Sequence, residues 1–379
     1  RFFLLLILTF AARAEWEGIG KMTAPTTDGN RIIFRNRKTI AIIGALAPNL
    51  IRVRIARWKD LSPDYSWAVV KTEWPLTPLR ITKNQSQTII RTSSLELRVQ
   101  HSPFRIAFHE PDGRLILQDA REPAWDNSRV RCWKQMPANE RYYGLGEKSG
   151  PLQKTGRSYI MWNTDPAGYD ANTDPMYISV PFFMALRSGK AYGIFFDNSY
   201  RSSFDMGAES PDYYSFGAEG GEINYYFFCG PDPKIVIQKY TELTGRTELP
   251  PLWTLGYIQS SMHYNPESKL RAIAENFRTR HIPCDALCLD NIHMNEHRVF
   301  TWNTSQEHGF PDPRNMLSDL AAQGFHVIAI VNPGVKAEKG YWVYDQGVAE
   351  NHFLQKRSGE LYTGFIWPGA SVFPDFTSE

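Results

Sequence analysis

Two consecutive prolines, Pro250 and Pro251, divide this 379-residue chain into stretches with different hydrophobic periods. Before them, from about Thr23 to Tyr240, apolar residues alternate with polar ones. In "IRVRIAR" Ile51, Val53 and Ile55 alternate with Arg52 and Arg54, and in "LELRV" Leu95, Leu97 and Val99 alternate with Glu96 and Arg98. Successive side chains of a strand point to opposite faces, so this period of two predicts half-buried antiparallel strands. "PDGR" at 111–114 and "RSGKAYG" at 187–193 supply hairpin turns. Many short strands without a convincing helix predict a β-sandwich.

After the prolines the period lengthens. "LGYIQS" reads as a strand and "NPESKLRAIAENFRTRH" as a helix, with Asn265 as N-cap, Pro266 at the first helical position, and Leu270, Ile273, Ala274 and Phe277 on one face. The strand "DALCLD" follows, then a helix from "DPRNMLSDLAAQG", capped by Asp312, opened by Pro313 and ended by Gly324, then the strand "FHVIAIVNPG". Strand and helix in alternation predict a parallel sheet with helices packed on it. The expected domains are residues 21–245 as the sandwich and 246–379 as the start of an α/β domain.

Hydrophobic residues make up 42% of the chain, enough for a sizeable core, and 11 Trp, 18 Tyr and 22 Phe make it rich in aromatics. Aromatic faces suit sugar rings, but they fill cores more often. With Lys+Arg 42 against Asp+Glu 40, the charge is balanced, which leaves no electrostatic footprint for nucleic acid or an anionic membrane. Four cysteines do not make a disulfide scaffold, and none pairs with histidine at zinc spacing. Cys284 and Cys288 on one strand stand roughly 13 Å apart, too far to be bridged. They read as small hydrophobes, and neither a metal nor a cofactor is called for.

The opening "RFFLLLILTFAARAEW" resembles the remnant of a secretory signal over residues 1–20: Arg1 is positive, Phe2 to Phe10 apolar, and Ala12-Arg13-Ala14 a small-x-small cleavage site. A secreted or periplasmic location is expected if that leader is real, and a cytoplasmic one otherwise. The apolar run is too short to span a bilayer, which takes roughly 20 residues.

Candidate site residues follow from the strand ends. The buried run Ala286 to Leu289 ends abruptly in Asp290, Asn291 and His293. A strand merely surfacing, a metal site and a pocket are three explanations. In parallel α/β folds, chemistry gathers at the carboxyl ends of the strands, where loops widen into a cleft. Tyr257 to His263, Asp290 to His293 and Asn332 to Val335 end three successive strands in polar or aromatic residues, which favours a pocket. One Asp with scattered His residues makes no convergent metal set.

Over nearly all of its length after the leader, and most densely from about Arg141 onward, the chain resembles the family 31 glycoside hydrolases, in particular the α-glucosidases. The resemblance rests on ordered blocks: "RYYGLGEKSGPLQKTGRSYIMWNTDPAGYDANTDPMYISVPFFMAL", "YGIFFDNSYRSSFDMG", "PPLWTLGY", "LDNIHMNEHRVFTWN", "FPDPRNMLSDLAAQGFHVIAIVNPGVK" and "WPGASVFPDF". It implies an N-terminal β-sandwich followed by a (β/α)8 TIM-type barrel, here incomplete, with about the first three strands present. It also implies exo-acting, retaining hydrolysis of terminal α-linked sugars by a carboxylate nucleophile and a carboxyl acid/base, about 5 to 5.5 Å apart. The family's nucleophile lies in a Trp-x-Asp-Met-Asn-Glu type motif on the fourth barrel strand. Neither it nor the acid/base is found here, so both are expected beyond Glu379, and this stretch alone is expected to be inactive.

By the same resemblance, Asp165 in "WNTDPAGY" is the acidic residue sent from the sandwich to bind sugar hydroxyls. Asp290 begins the strand end that binds the terminal sugar, Trp367 forms a wall of that subsite, Val335 lines it, and Asn332 stands at a substrate-binding position. The chain departs from the family where Asp290-Asn291-Ile292-His293-Met294 replaces Asp-Ile-Asp-Tyr-Met, and where Asn332 and Asn303 replace Asp. "SSMHY" at 260–264 lacks a usual Arg-Trp. An oligosaccharide or glycoside is the expected partner, with oligomeric state left open. A non-catalytic carbohydrate-binding homologue of the same family is the alternative reading.

Overall fold

The computed structural model describes residues 16–57, 61 and 63–378, so most of the apolar leader lies outside the described residues. They form two compact units, divided between Thr247 and Glu248.

The first unit consists of antiparallel sheets of six, five and eight strands, and all three contribute to one core. Ile51, Val53 and Ile55 of strand Leu50–Arg57, and Leu97 and Val99 of Glu96–His101, are fully buried in that core, as the period of two requires. The intervening residues do not simply face water. Arg54 forks onto Glu222 at 2.7 Å, and Glu96 bridges Arg91 and Arg98 at 2.6 Å each. The turn between Ser179–Arg187 and Lys190–Phe196 is made by Ser188 and Gly189, both at positive φ (50° and 77°), the conformation that matches the twist of a two-residue hairpin.

Strand Ile223–Cys229, in the middle of the eight-stranded sheet, is buried along its whole length. Tyr225 and Phe227 enter the main core, whereas Tyr226 and Phe228 face a second cluster with Val236 and Leu243. Those last two belong to helix α1 (Pro233–Thr244), a correction to the expectation that the first 240 residues hold no helix. The β-branched run Ile235-Val236-Ile237 imitates a strand. Asp232 nevertheless caps the helix by accepting from the Lys234 N–H, and Pro233 opens it.

The second unit contains a three-stranded parallel sheet, β1 (Ile258–Ser261), β2 (Ala286–Leu289) and β3 (His326–Ala329), with β2 central. Helices α2 (Glu267–Thr279) and α3 (Pro313–Ala322) connect them. Leu270 and Ala274 of α2 and Met316 and Leu320 of α3 share a core with Leu287 and Leu289. Asp312 caps α3 by accepting from the Asn315 N–H at 3.0 Å. In α2 the cap position belongs to Pro266, not Asn265, and no side chain caps it; the Glu267 N–H instead bonds the Gly309 carbonyl at 2.9 Å. This satisfies one of the orphan donors of a helix start from a neighbouring loop. All four cysteines are free and buried.

A further small antiparallel sheet joins β4 (Val335–Lys336), β5 (Thr363–Ile366) and β6 (Gly369–Val372), with β6 central and α4 (Trp342–Ala349) between β4 and β5 in the chain. No described helix is long and apolar enough to cross a membrane.

Candidate functional site

The parallel register aligns Ser261, Leu289 and Ala329 across the sheet, so the three strands finish together. Asp290 is one residue past the last pair of the central strand. There the chain leaves the ladder through a single 3-10 turn, Asn291–His293, which Asp290 itself caps: its Oδ1 accepts from the Asn291 N–H at 2.6 Å. Oδ2 is left for other partners. The Asp290 carbonyl lies 2.7 Å from His293 Nδ1, and the buried His293 ring meets Trp302 edge-on at 5.1 Å. His293 is therefore a packing and positioning residue, and its ring supports the loop that carries Asp290. The neighbouring strand is tied in by the Ile330 N–H, which donates to the Leu289 carbonyl at 2.9 Å.

Asn332 lies three residues past the end of β3 and is partly exposed. Val335 is only 4% exposed and sits in β4, packed in a cluster with Met294, Val299, Tyr341, Phe353 and Val372. Trp367 forms the turn between β5 and β6 and is 70% exposed. The structure thus brings Asp290 and Asn332 to the same end of adjacent parallel strands. Val335 and Trp367 stand on the small antiparallel sheet.

Asp165 belongs to the first unit and is exposed on the loop between Ser158–Met161 and Ser179–Arg187. That loop is well braced. The Asp174 carboxylate accepts from the Ile160 N–H at 2.6 Å and from Lys148 Nζ at 2.6 Å, Thr164 N–H bonds the Met176 carbonyl, and Asn163 Oδ1 accepts from the Ser179 N–H. A residue not singled out from the sequence, Tyr177, lies near Asp165 on the same loop. Partial desolvation and the neighbouring carboxylate raise its phenol pKa. Only the loop's fold reveals this proximity, because the two residues are separated along an irregular stretch with no period to align them. Among the described residues no three His, Cys, Asp or Glu side chains are grouped to hold a metal ion.

Chemically, the sheet end presents a carboxylate with one oxygen engaged by backbone and one available, on a rigid strand terminus. Such a group can accept hydroxyl hydrogen bonds and favour a developing positive charge.

Residues 41–205 match the family model described as the glycosyl hydrolase 31 N-terminal galactose mutarotase-like domain, and residues 247–379 match the glycosyl hydrolases family 31 TIM-barrel domain. The chain is similar to alpha-glucosidase 2 of Bacillus thermoamyloliquefaciens, with 39% identity over 87% of this chain and 42% of that protein. It is similar to an alpha-glucosidase of Saccharolobus solfataricus, with 32% identity over 66% of this chain and 36% of that protein. Among solved structures, a dextranase of the same family from Flavobacterium johnsoniae, complexed with isomaltotriose, superposes with a TM-score of 0.88 at 33% identity, covering 96% of this chain and 45% of that one. The chain therefore spans less than half the length of these relatives.

Proposed function

The chain belongs to glycoside hydrolase family 31, and from that premise we propose that its protein is an exo-acting, retaining α-glycosidase that releases terminal α-linked glucose or a related sugar from oligosaccharides. Support comes from the two alpha-glucosidases and the isomaltotriose-bound dextranase to which it is similar. The observation that carries the reading is the place of Asp290, at the carboxyl end of the central strand of a parallel sheet, with one oxygen uncommitted.

In this proposal Asp290 accepts two hydroxyl hydrogen bonds from the terminal sugar, and Asp165 on its braced loop is a further acceptor for sugar hydroxyls. Trp367 offers its indole face to ring C–H groups, Asn332 adds a polar group, and Val335 backs the subsite from the apolar cluster beneath it. The nucleophile and the acid/base, about 5 to 5.5 Å apart in a retaining enzyme, come from beyond the three parallel strands described here. A secreted or periplasmic location goes with the reading of residues 1–20 as a signal remnant, and a cytoplasmic one with its failure.

One observation favours a second reading, a carbohydrate-binding homologue without catalysis. After Asp290 the chain carries no second acid at the strand end, and Asn291 and His293, which stand there, are buried. The pocket is electrostatically weaker for it.

The experiment is steady-state hydrolysis of a chromogenic α-glucoside by the protein as its gene encodes it, compared with Asp290→Asn. Asn keeps the shape but replaces charge-assisted hydrogen bonds by neutral ones, about half as strong. Bonds that tighten as the ring becomes cationic are lost from kcat as well as KM. The expected loss is on the order of 3 kcal/mol, about a hundredfold in kcat/KM. Equal kcat/KM in two folded proteins removes Asp290 from the site, and wild-type protein that binds the sugar without hydrolysing it establishes the second reading.

A further inference from the structure

The sandwich unit holds a cavity of about 330 Å³ that plays no part in the proposed reaction. This is within the size range of small-ligand sites, about 300–1,000 Å³. Its lining is largely apolar, with Leu115, Ile116 and Pro231 on one wall, and five charged side chains, Glu110, Arg114, Glu140, Arg187 and Lys190, border it.

Glu140 is the informative group. Its side chain is 1% exposed, yet it lines the cavity. Oε1 accepts from the Tyr142 and Tyr192 hydroxyls at 2.8 and 2.7 Å. Oε2 has only Arg187 Nε, at 3.7 Å, beyond hydrogen-bond range. That oxygen, which borders the cavity, is therefore free to accept from a donor there. Arg187 cannot readily move closer, because its other end donates to the Leu115 and Ile116 carbonyls at 3.0 and 3.1 Å. A hydroxyl entering the cavity supplies the missing donor.

Charge selects the occupant. Lys190 Nζ grips both oxygens of Glu110, at 2.9 and 3.0 Å, and Arg114 also bonds that carboxylate. Each carboxylate already faces a cation, so an ionic ligand would have to compete with an existing pair. A neutral polyol does not: its hydroxyls donate to carboxylate oxygens and accept from guanidinium and ammonium N–H groups, while its C–H face covers the apolar wall. We propose that this cavity binds one neutral sugar unit of hexose size, an ancillary carbohydrate site built into the sandwich. The inference rests on the cavity and not on the glycosidase reading.

Saturation-transfer difference NMR with D-glucose on the full chain tests it, in the Asp290→Ala background so that the barrel unit's aspartate contributes nothing. Transfer to glucose is expected there. It should be abolished by adding Ser94→Trp, which places an indole at the partly exposed edge of the cavity. Glu140→Gln should weaken binding about tenfold. Circular dichroism checks that each variant folds, and if Glu140→Gln does not, Ser94→Trp carries the test. No transfer, transfer that survives Ser94→Trp, or glucose displaced by an equal concentration of inorganic phosphate each overturns the proposal.

Discussion

Lys134 lies fully buried, with its ammonium 2.5 Å from Asp119 Oδ1 and 2.9 Å from the Tyr225 hydroxyl. Burial alone would discharge it, but the Asp119 carboxylate and the Tyr225 oxygen outweigh burial and raise its pKa. Asp119 is also held by the Ile106 N–H, which donates to Oδ2 at 2.7 Å. Lys134→Met would leave a buried carboxylate without its counter-charge, at a cost of about 3–5 kcal/mol. Adding Asp119→Asn should recover part of that loss, since Asn has no charge to strand and keeps an oxygen for Ile106. The single variant should also be pH-dependent. Burial already raises the Asp119 pKa, and without Lys134 it rises further. A carboxyl group with a raised folded pKa contributes stability that is present below its unfolded value, about 3.9, and lost as pH climbs toward the folded one. Urea denaturation of Lys134→Met should therefore show a smaller deficit at pH 4.5 than at pH 7. A deficit that is equal at both, or larger at pH 4.5, contradicts this account of the pair.

Helix α1 shows what an element adds that its own sequence hides. It covers the second face of the eight-stranded sheet, where Tyr240 stacks on Phe182 with ring centroids 4.0 Å apart and an interplanar angle of 16°. Phe195 and Phe228 meet the same ring edge-on. Tyr240→Ala should cost about 2 to 3 kcal/mol, less than the loss of a fully buried ring because Tyr240 is partly exposed. Removing the cap with Asp232→Ala should cost about 1 kcal/mol. Chemical denaturation followed by circular dichroism measures both, and a larger loss for the cap than for the ring would show that α1 is held by its own hydrogen bonds rather than by the sheet. In the second unit, α3 carries the same Asp-Pro opening at Asp312-Pro313, and there the apolar spacing left no rival reading.

At the scale of the whole molecule, the segment joining the two units is exposed from Arg246 to Leu252. Leu249 is 92% exposed, although an apolar side chain ordinarily gains from burial. Neither β1 nor β3 has a partner on its outer edge among the described residues, whereas every strand inside the eight-stranded sheet is paired on both sides. Unpaired edges and exposed linkers open at low free energy. Limited proteolysis is expected to cut between Arg246 and Leu252 first, leaving a resistant sandwich unit and a second unit that is degraded faster. Mass spectrometry of the fragments decides, and equal protection on both sides of the linker contradicts the expectation.

Much of this was written in local patterns. A period of two over Leu50–Arg57 and Glu96–His101, turn residues at Ser188-Gly189, the spacing of Leu270 and Ala274, and Asp312-Pro313-Gly324 each act over a few residues, so the two architectures and the end of the central strand at Asp290 could be read from the chain. Three things depended on groups distant in sequence. Helix α1 was decided by the aromatic face of the sheet it covers, the proximity of Asp165 to Tyr177 by the path of a braced loop, and the cavity beside Glu140 by hairpins that converge only once the sheets have formed. Periodicity reports which way a side chain points within its own element. What it meets there is set by the packing of elements against one another, and that is why the strand ends were legible and the cavity was not.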